Sequence, residues 1–579
     1  MLMLLAVLGP ARFASGECGT QAMPLHALAT ARPGRTVRVA GVVTAVFPGM
    51  HGFFLEAPHA RWDSDPGTSE AMFVYGGRHV PKGMIPGQRL AFSARFQHFH
   101  GLPELAYPRR IEHCGRHALP PAITVSLPHS ARQWKSVLGM RIQLAQALTV
   151  DDLADWLRYG AVRVHAGGRH YAPTALTAPG PQIRRLEKRS PGREIWLDVR
   201  VTGEYPRKLQ LGNETFNVLH PLRVGDIFKS VGGVAYHAYG HDVLEVTHIG
   251  RADRANPRPA WASLKLPRGL RIVTFNVENY FNRASSGPLF PTERGARTRS
   301  QWQCQTNKLV AALKAMQPAV AGLEEVENNG YGPDGALAAL VKALNRALPD
   351  GDYRFIRPGV RRLGTDLIAP ALIYDADRVR TVGHVAVLQP PGDDRAVRTG
   401  FTRPALAASF RSRAGGKAFT VVVAHLRSKR SACGMGLDDE NGGGHCARAR
   451  ARAVAYLERW IGKQPTDIAT SAVALAGDFN AYPHAVAIRE LLQGGWQVEP
   501  PLKSGEPEYT ENASQGSGRL DYIFLSAMLA KRVRAAAIWH IDADEARGLD
   551  YAGRPACHGP AAPYRASDHD PVIAVLELP

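Results

Sequence analysis

The segment AVALAGDFN (472–480) runs as a strand of small apolar residues and then ends on a carboxylate and an amide. Side chains alternate along an extended chain, so Asp478 and Asn480 are expected to project together while Phe479 turns into the core. The pattern repeats. RIVTFN closes on Asn276, AVAGLEE on Glu324 and Glu325, and FTVVVAH on His425. RLDYIFL carries Asp521 just inside a strand, and RASDHDPVIAV sets Asp568 and His569 immediately before another. Polar groups buried at strand ends cost free energy unless something pairs with them. A hard divalent cation together with a phosphate would pair with all of them, because carboxylates and amides suit Mg²⁺ or Mn²⁺, whereas zinc sites draw on Cys and His. Such a set suits attack of water on a phosphodiester: a base near the water, and a cation, imidazole and amide to absorb charge on the phosphoryl oxygens.

The elements that must position these residues follow from texture. From residue 269 onward, apolar runs alternate with helical segments whose apolar residues recur at three and four spacing. The clearest helices are SQWQCQTNKLVAALKAM, GALAALVKALNRAL and HCARARARAVAYLERW. Alternating strands and helices predict an α/β layered domain over 269–579. Residues 17–118 read as five short strands with Gly and Pro turns, the order expected of a small OB-like β-barrel. Phe53, Phe54, Phe96, His98, Phe99 and His100 are its candidates for stacking on bases, against the plainer expectation that they fill the barrel. Residues 119–250 form a second β-rich block, read as a second OB-like domain on a weak echo between GDIFKSVGGVAYHA and PGQRLAFSARFQHF. GPQIRRLEKRSPGR (180–193) reads as a basic loop, and residues 251–268, rich in Pro and charge, as a linker.

The chain has 579 residues, enough for about three or four domains. Its formal net charge of +20 implies a field that concentrates polyanions, which points to nucleic acid and also suits anionic membranes. Residues 1–16 read as a secretory signal peptide, with an apolar run and small residues at 14–16 but no Lys or Arg ahead of the run. No other apolar run approaches the roughly 20 residues of a membrane-spanning helix, so a secreted or periplasmic protein is expected. Six cysteines fit an oxidising compartment and allow about 15 pairings. Their positions favour Cys18–Cys114, Cys433–Cys446 and Cys304–Cys557. The loop LDDENGGGH (437–445) clusters oxygen ligands and raises a structural Ca²⁺, without the spacing of an EF-hand.

TFNVEN, GLEEVEN, VVAHLRSK, GDFNAY, RLDYIF and SDHDPV, in this order over residues 270–579, resemble the endonuclease/exonuclease/phosphatase superfamily with its DNase I-like four-layer sandwich. NYFN, ENNGYG, GTD followed by IY, HLRSKRSACG and the β-rich first half look like the large secreted bacterial DNases of that superfamily. The resemblance implies that Glu325 is a metal ligand, that Asn276 orients it, and that Asp568 holds the same ion or a second one. It implies that Asp478 orients or deprotonates the attacking water, Asn480 holds a phosphate oxygen, His569 touches the scissile phosphate and Asp521 orients its ring. His425 matches a second histidine of DNase I-like phosphodiesterases, and Glu324 is read as a neighbour of the ligand. Arg427 and Lys429 are candidate phosphate contacts, joined by Asp366 and Tyr374 of GTDLIAPALIY. The expected protein is a monomeric, metal-dependent endonuclease acting on DNA, with RNA as a further substrate. The alternatives are a phosphodiesterase or phosphatase on lipid or inositol head groups, and a nucleic-acid-binding protein with an inactive nuclease half.

Overall fold

The computed structural model describes residues 19–577 apart from 79, 81, 190–191, 202–203, 205–208, 212–213, 218, 251, 284–287, 435, 440–441, 504 and 554–561. The expected signal peptide, Cys18 and Cys557 therefore lie outside the described residues.

Five strands, β1 (Thr36–Phe47), β2 (Gly52–Glu56), β3 (Ala71–Tyr75), β4 (Gln88–Phe99) and β5 (Leu102–Arg116), close into a barrel in the order β1-β2-β3-β5-β4. Only β3 and β5 pair in parallel. Val39, Phe53, Leu55, Phe92, Phe96 and Leu105 fill the interior. Of the aromatics singled out above, Phe53, Phe54 and Phe96 are thus buried, while His98, Phe99 and His100 stand on the exposed β4–β5 tip. Phe54 and Phe73 pack on Tyr236 of the next domain, with ring centroids 5.6 and 5.8 Å apart.

The second block is an open nine-stranded sheet rather than a second closed barrel. Its central strands are Leu148–Asp152, Ala161–Ala166, Glu194–Asp198, His241–Ile249 and Val231–Ala238, in that spatial order. The parallel pairing of Glu194–Asp198 with His241–Ile249 joins segments far apart in sequence, a register that hydropathy does not encode. The basic stretch near 180 folds as the helix Pro181–Arg189. The core beneath the sheet contains Trp134, Trp156, Leu197 and Leu244, and also Ala546 and Leu549 from the far end of the chain.

The expected linker is packed rather than free. Ala252–Asp253 adds an edge strand to the nine-stranded sheet, Arg258 pairs with Glu545 at 2.6 Å, and Trp261 packs edge-on against Trp539 at 5.0 Å. Arg254 pairs with Asp226 and Arg258 with Glu545, so a composition that reads as loop becomes a strap.

Residues from 270 onward form two six-stranded sheets packed face to face, each covered outside by helices. One sheet holds Leu270–Tyr280 and Val320–Glu327 at its centre, the other Gly415–His425, Val473–Asp478 and Asp521–Leu525. Ile272, Leu372, Val421, Ala474, Ile523 and Val572 fill the space between them. Arg299–Met316 and Ala336–Ala347 cover the first sheet, and Ala447–Gly462 and Val486–Gln493 the second. Arg299–Met316, Ala336–Ala347 and Ala447–Gly462 fall on the helices expected from periodicity, whereas Val486–Gln493 was not among them. Among the described residues no helix is long and apolar enough to cross a membrane.

Candidate active site

Strand register gathers the polar ends. His425 lies opposite Asp478 on one side and Asp521 lies opposite Asp478 on the other, so three adjacent strands present one row. The end of the strand Leu270–Tyr280 reaches the same place from the facing sheet, and the Asn276 amide donates to Asp478 Oδ2 at 3.2 Å across 202 residues of sequence. Phe479 is buried against Tyr522 and Phe524, as alternation requires, and Asn480 returns to donate from its backbone to Asp478 Oδ1 at 2.8 Å and from its amide to Oδ2 at 3.1 Å. Gly477 permits the approach: at φ +143° its missing Cβ would lie 1.9 Å from the Ala424 carbonyl oxygen.

Two imidazoles flank this carboxylate in different states. His569 Nδ1 bonds Asp521 Oδ2 at 2.8 Å, and the Thr510 hydroxyl donates to the same oxygen at 2.5 Å. Burial opposes a charge on His569, but Asp521 outweighs it and holds the ring well above the ordinary histidine range. His425 Nε2 lies 3.4 Å from Asp478 Oδ2. Burial, helped by the Arg403 charge, keeps His425 far below that range and hence neutral. Burial and the charge of Asp521 push the Asp478 carboxyl up to about 7.

Beside this row lies a group of carboxylates. Glu325, at φ +67°, accepts the Asn279 N–H at 3.0 Å, and burial and Asp568 raise its affinity for a proton. Glu278 feels the same pair of effects more strongly, and its Oε2 is buried without a hydrogen-bond partner. Asp568 goes the other way: burial resists its charge, but His569 and Arg565 outweigh that and keep it ionised. Asp568 Oδ2 is also 3.9 Å from Arg430. Glu324 points beneath the site, accepting the Thr274 hydroxyl at 2.9 Å, which is a supporting place.

The family comparison belongs beside this geometry. The endonuclease/exonuclease/phosphatase family matches residues 273–569, just over half of the chain. The chain belongs to this family. An endonuclease/exonuclease/phosphatase from Bacteroides vulgatus is 18% identical, covering 54% of this chain and all of its own, at a TM-score of 0.34. The human nocturnin catalytic domain with bound sulfate is 18% identical over 53% of this chain and 93% of its own, at 0.32. D. rerio TDP2 complexed with single strand DNA product is 17% identical over 54% of this chain and all of its own, at 0.34. No curated protein matches.

In this endonuclease/exonuclease/phosphatase protein the strand ends bring together Asn276, Glu325, His425, Asp478, Asn480, Asp521, Asp568 and His569. Glu278, Glu325 and Asp568 offer oxygen ligands only, repel one another and leave one buried oxygen unpaired, the chemistry a hard divalent cation satisfies, while the ligand atoms lying within 4.8 Å of one another here are those of Asp478, Asp521 and His569. Lys429 is in the wall, its Nζ 3.0 Å from the Tyr482 ring centroid and without a hydrogen-bond partner, and burial lowers it to about 7. Arg427 follows His425 by two residues on the half-buried rim. Tyr374 is placed elsewhere. It pairs with Val320 at the start of the strand that ends near Glu325, roughly 16 Å away at about 3.3 Å per residue, and its ring packs on Phe410. The strand bearing Tyr374 runs antiparallel, so its beginning, not Tyr374, lies at the site end. Asp366, just ahead of that strand, pairs with the buried Arg403 at 3.2 Å and so positions a cation beside His425.

Sequence reading missed Glu278, Thr510 and Arg403. Glu278 was findable, since it follows Asn276 by two residues. Thr510 comes from an irregular stretch eleven residues before Asp521, with no periodic signal. Cys433 and Cys446 form a disulfide with Cα atoms 5.1 Å apart. Cys114 and Cys304 are also disulfide-bonded, while Cys18 and Cys557, their expected partners, lie outside the described residues. Asp438 of the expected calcium loop accepts the backbone N–H groups of Cys433, Gly434 and Cys446, so its carboxylate holds the loop itself; Glu440 and Asn441 lie outside the described residues.

Proposed function

We propose that the protein is a secreted, divalent-metal-dependent endonuclease that hydrolyses DNA phosphodiesters by in-line attack of water, with RNA as a further substrate. One observation carries the reading: a carboxylate near neutrality (Asp478) and a protonated imidazole (His569) stand in one cleft with the acidic group Glu278, Glu325 and Asp568. Asp478, aligned by the Asn276 and Asn480 amides, receives the proton of the water. His569 is fixed through Nδ1 by Asp521 and offers Nε2–H to a phosphoryl or leaving oxygen. Neutral His425 and the Asn480 amide line the phosphate position. Glu325 and Asp568, with Glu278, would hold Mg²⁺ or Mn²⁺, which supplies charge for the phosphoryl oxygens when bound.

The choice of DNA rests on charge and on the first domain. The net charge is +20, and Arg430 is 85% exposed at the cleft edge. The barrel order β1-β2-β3-β5-β4, with its parallel β3–β5 closure, is OB-like, and Phe99, His100 and Tyr107 stand on its surface as stacking candidates. The secreted location rests on the apolar N-terminus and the disulfides.

Purified protein is given supercoiled plasmid, RNA and sphingomyelin vesicles, with Mg²⁺ and with EDTA. Metal-dependent plasmid nicking is expected, lost by at least about a hundredfold in Asp478→Ala and His569→Ala, with circular dichroism unchanged. Lipid turnover without nicking would replace the substrate, and an active Asp478→Ala protein would remove that residue as the base.

A further inference from the structure

We infer that Arg169 of the nine-stranded domain is a positioning residue for the His569–Asp521 pair, which makes that domain an intrinsic part of the catalytic machinery. The inference rests on the role given to His569 above.

Two loops of the catalytic domain hold His569. The first carries Thr510, whose hydroxyl bonds Asp521 Oδ2 at 2.5 Å and whose carbonyl accepts the Asp570 N–H at 2.8 Å. The second, residues 539–546, grips the neighbour of His569: Asp570 accepts the Asp542 and Ala543 N–H groups at 2.8 and 3.1 Å and bonds His540 Nδ1 at 2.8 Å. Neither loop is regular over its length, and each needs an outside anchor.

Arg169 supplies it to both at once. Its guanidinium bonds Asp544 Oδ1 of the second loop at 2.9 Å. It also bonds the Tyr509 hydroxyl at 3.1 Å and the Ser517 hydroxyl at 3.2 Å in the first. Tyr509 closes the circuit by donating to Asp544 Oδ2 at 2.7 Å. Its ring is held between the guanidinium, 4.1 Å from the centroid, and the His540 ring, 4.3 Å away. Arg169 is 8% exposed in its side chain and Asp544 is fully buried. Tyr509 and Thr510 are adjacent, so fixing one ring fixes the hydroxyl that sets Asp521. The sequence around Arg169, HAGGRHYAP, has no strand-end or motif signature that marks it.

The test uses the full chain and bis(p-nitrophenyl) phosphate with Mg²⁺, so that it does not depend on the choice of DNA. Arg169→Ala is expected to lower kcat by at least about tenfold with KM within about threefold, the pattern of a misaligned group rather than lost binding. Arg169→Lys should recover part of kcat. Arg200→Met is the control, since it breaks the equally buried Arg200–Glu245 pair inside the same domain without touching either loop. If Arg169→Ala does not fold, Tyr509→Phe, which keeps the ring and removes only the bridging hydroxyl, is read by the same kcat criterion. A kcat within about twofold of the parent, or an equal fall in Arg200→Met, overturns the inference. An active His569→Ala protein would instead overturn the role of His569 on which it rests.

Discussion

Asp478 and Asp521 face each other across one strand pair, yet their surroundings divide the labour between them. Asp521 accepts from Thr510 and His569, whereas burial and the Asp521 charge push Asp478 toward neutrality against the opposing pull of the Asn480 N–H. Thr510→Val keeps the shape but removes a hydroxyl that donates to Asp521 Oδ2 and accepts the Leu520 and Asp521 N–H groups. We expect kcat on a small phosphodiester to fall by about tenfold with little change in KM, measured beside an unfolding curve that moves by about 1–3 kcal/mol. At this scale much was legible. Asp478, Asn480, Asn276 and His425 could be placed because strand ends and alternation determine where a side chain emerges. Thr510 and Arg403 could not, because their places depend on loops packed by distant partners. Tyr374 was misplaced because a motif names a strand without saying which of its ends reaches the cleft.

Among the elements, the strand Val473–Asp478 is the least tolerant of change. It lies between Gly415–His425 and Asp521–Leu525 and delivers Asp478 only because the backbone of Gly477 passes against Ala424. Gly477→Ala places a methyl on a carbonyl oxygen at a left-handed φ. A loss of about 2–4 kcal/mol is expected, read as a lowered urea midpoint together with lost activity. Three of the catalytic helices were legible because their apolar spacing and lengths are local properties, and their observed ranges follow the predicted ones closely. The nine-stranded sheet was not, because its long-range parallel pairing leaves no local trace in a list of apolar runs. The strap 251–268 shows the same limit from the other side: Pro and Arg announce a loop, but the partners of Arg258 lie nearly 300 residues on.

For the whole molecule, the three domains are joined by buried groups rather than by tethers. Burial lifts Glu56, at the barrel junction, to about 8 while its carboxylate accepts the Arg141 N–H at 3.1 Å. An unfolded glutamate titrates near about 4.3, so the folded protein holds this proton more tightly. The stability it contributes is full below about 4.3 and is lost as pH rises to about 8. Glu56→Gln should therefore raise the melting temperature at pH 8 and leave it nearly unchanged at pH 4, by calorimetry. Residues 269–579 expressed alone would strip Arg169 and Arg223 from Asp544 and uncover Ala546 and Leu549, which pack in the core of the nine-stranded domain. The fragment is therefore expected to be poorly soluble or to lack cooperative unfolding, as read by a urea titration.

Ala546 and Leu549 also set a timetable. The ribosome releases the strands of the nine-stranded sheet by Asp253, but the apolar plug for their core emerges only after roughly 300 more residues have been made. Until then the core beside Trp156 and Leu157 lacks these two residues, so the nine-stranded domain and the catalytic domain reach their final form together.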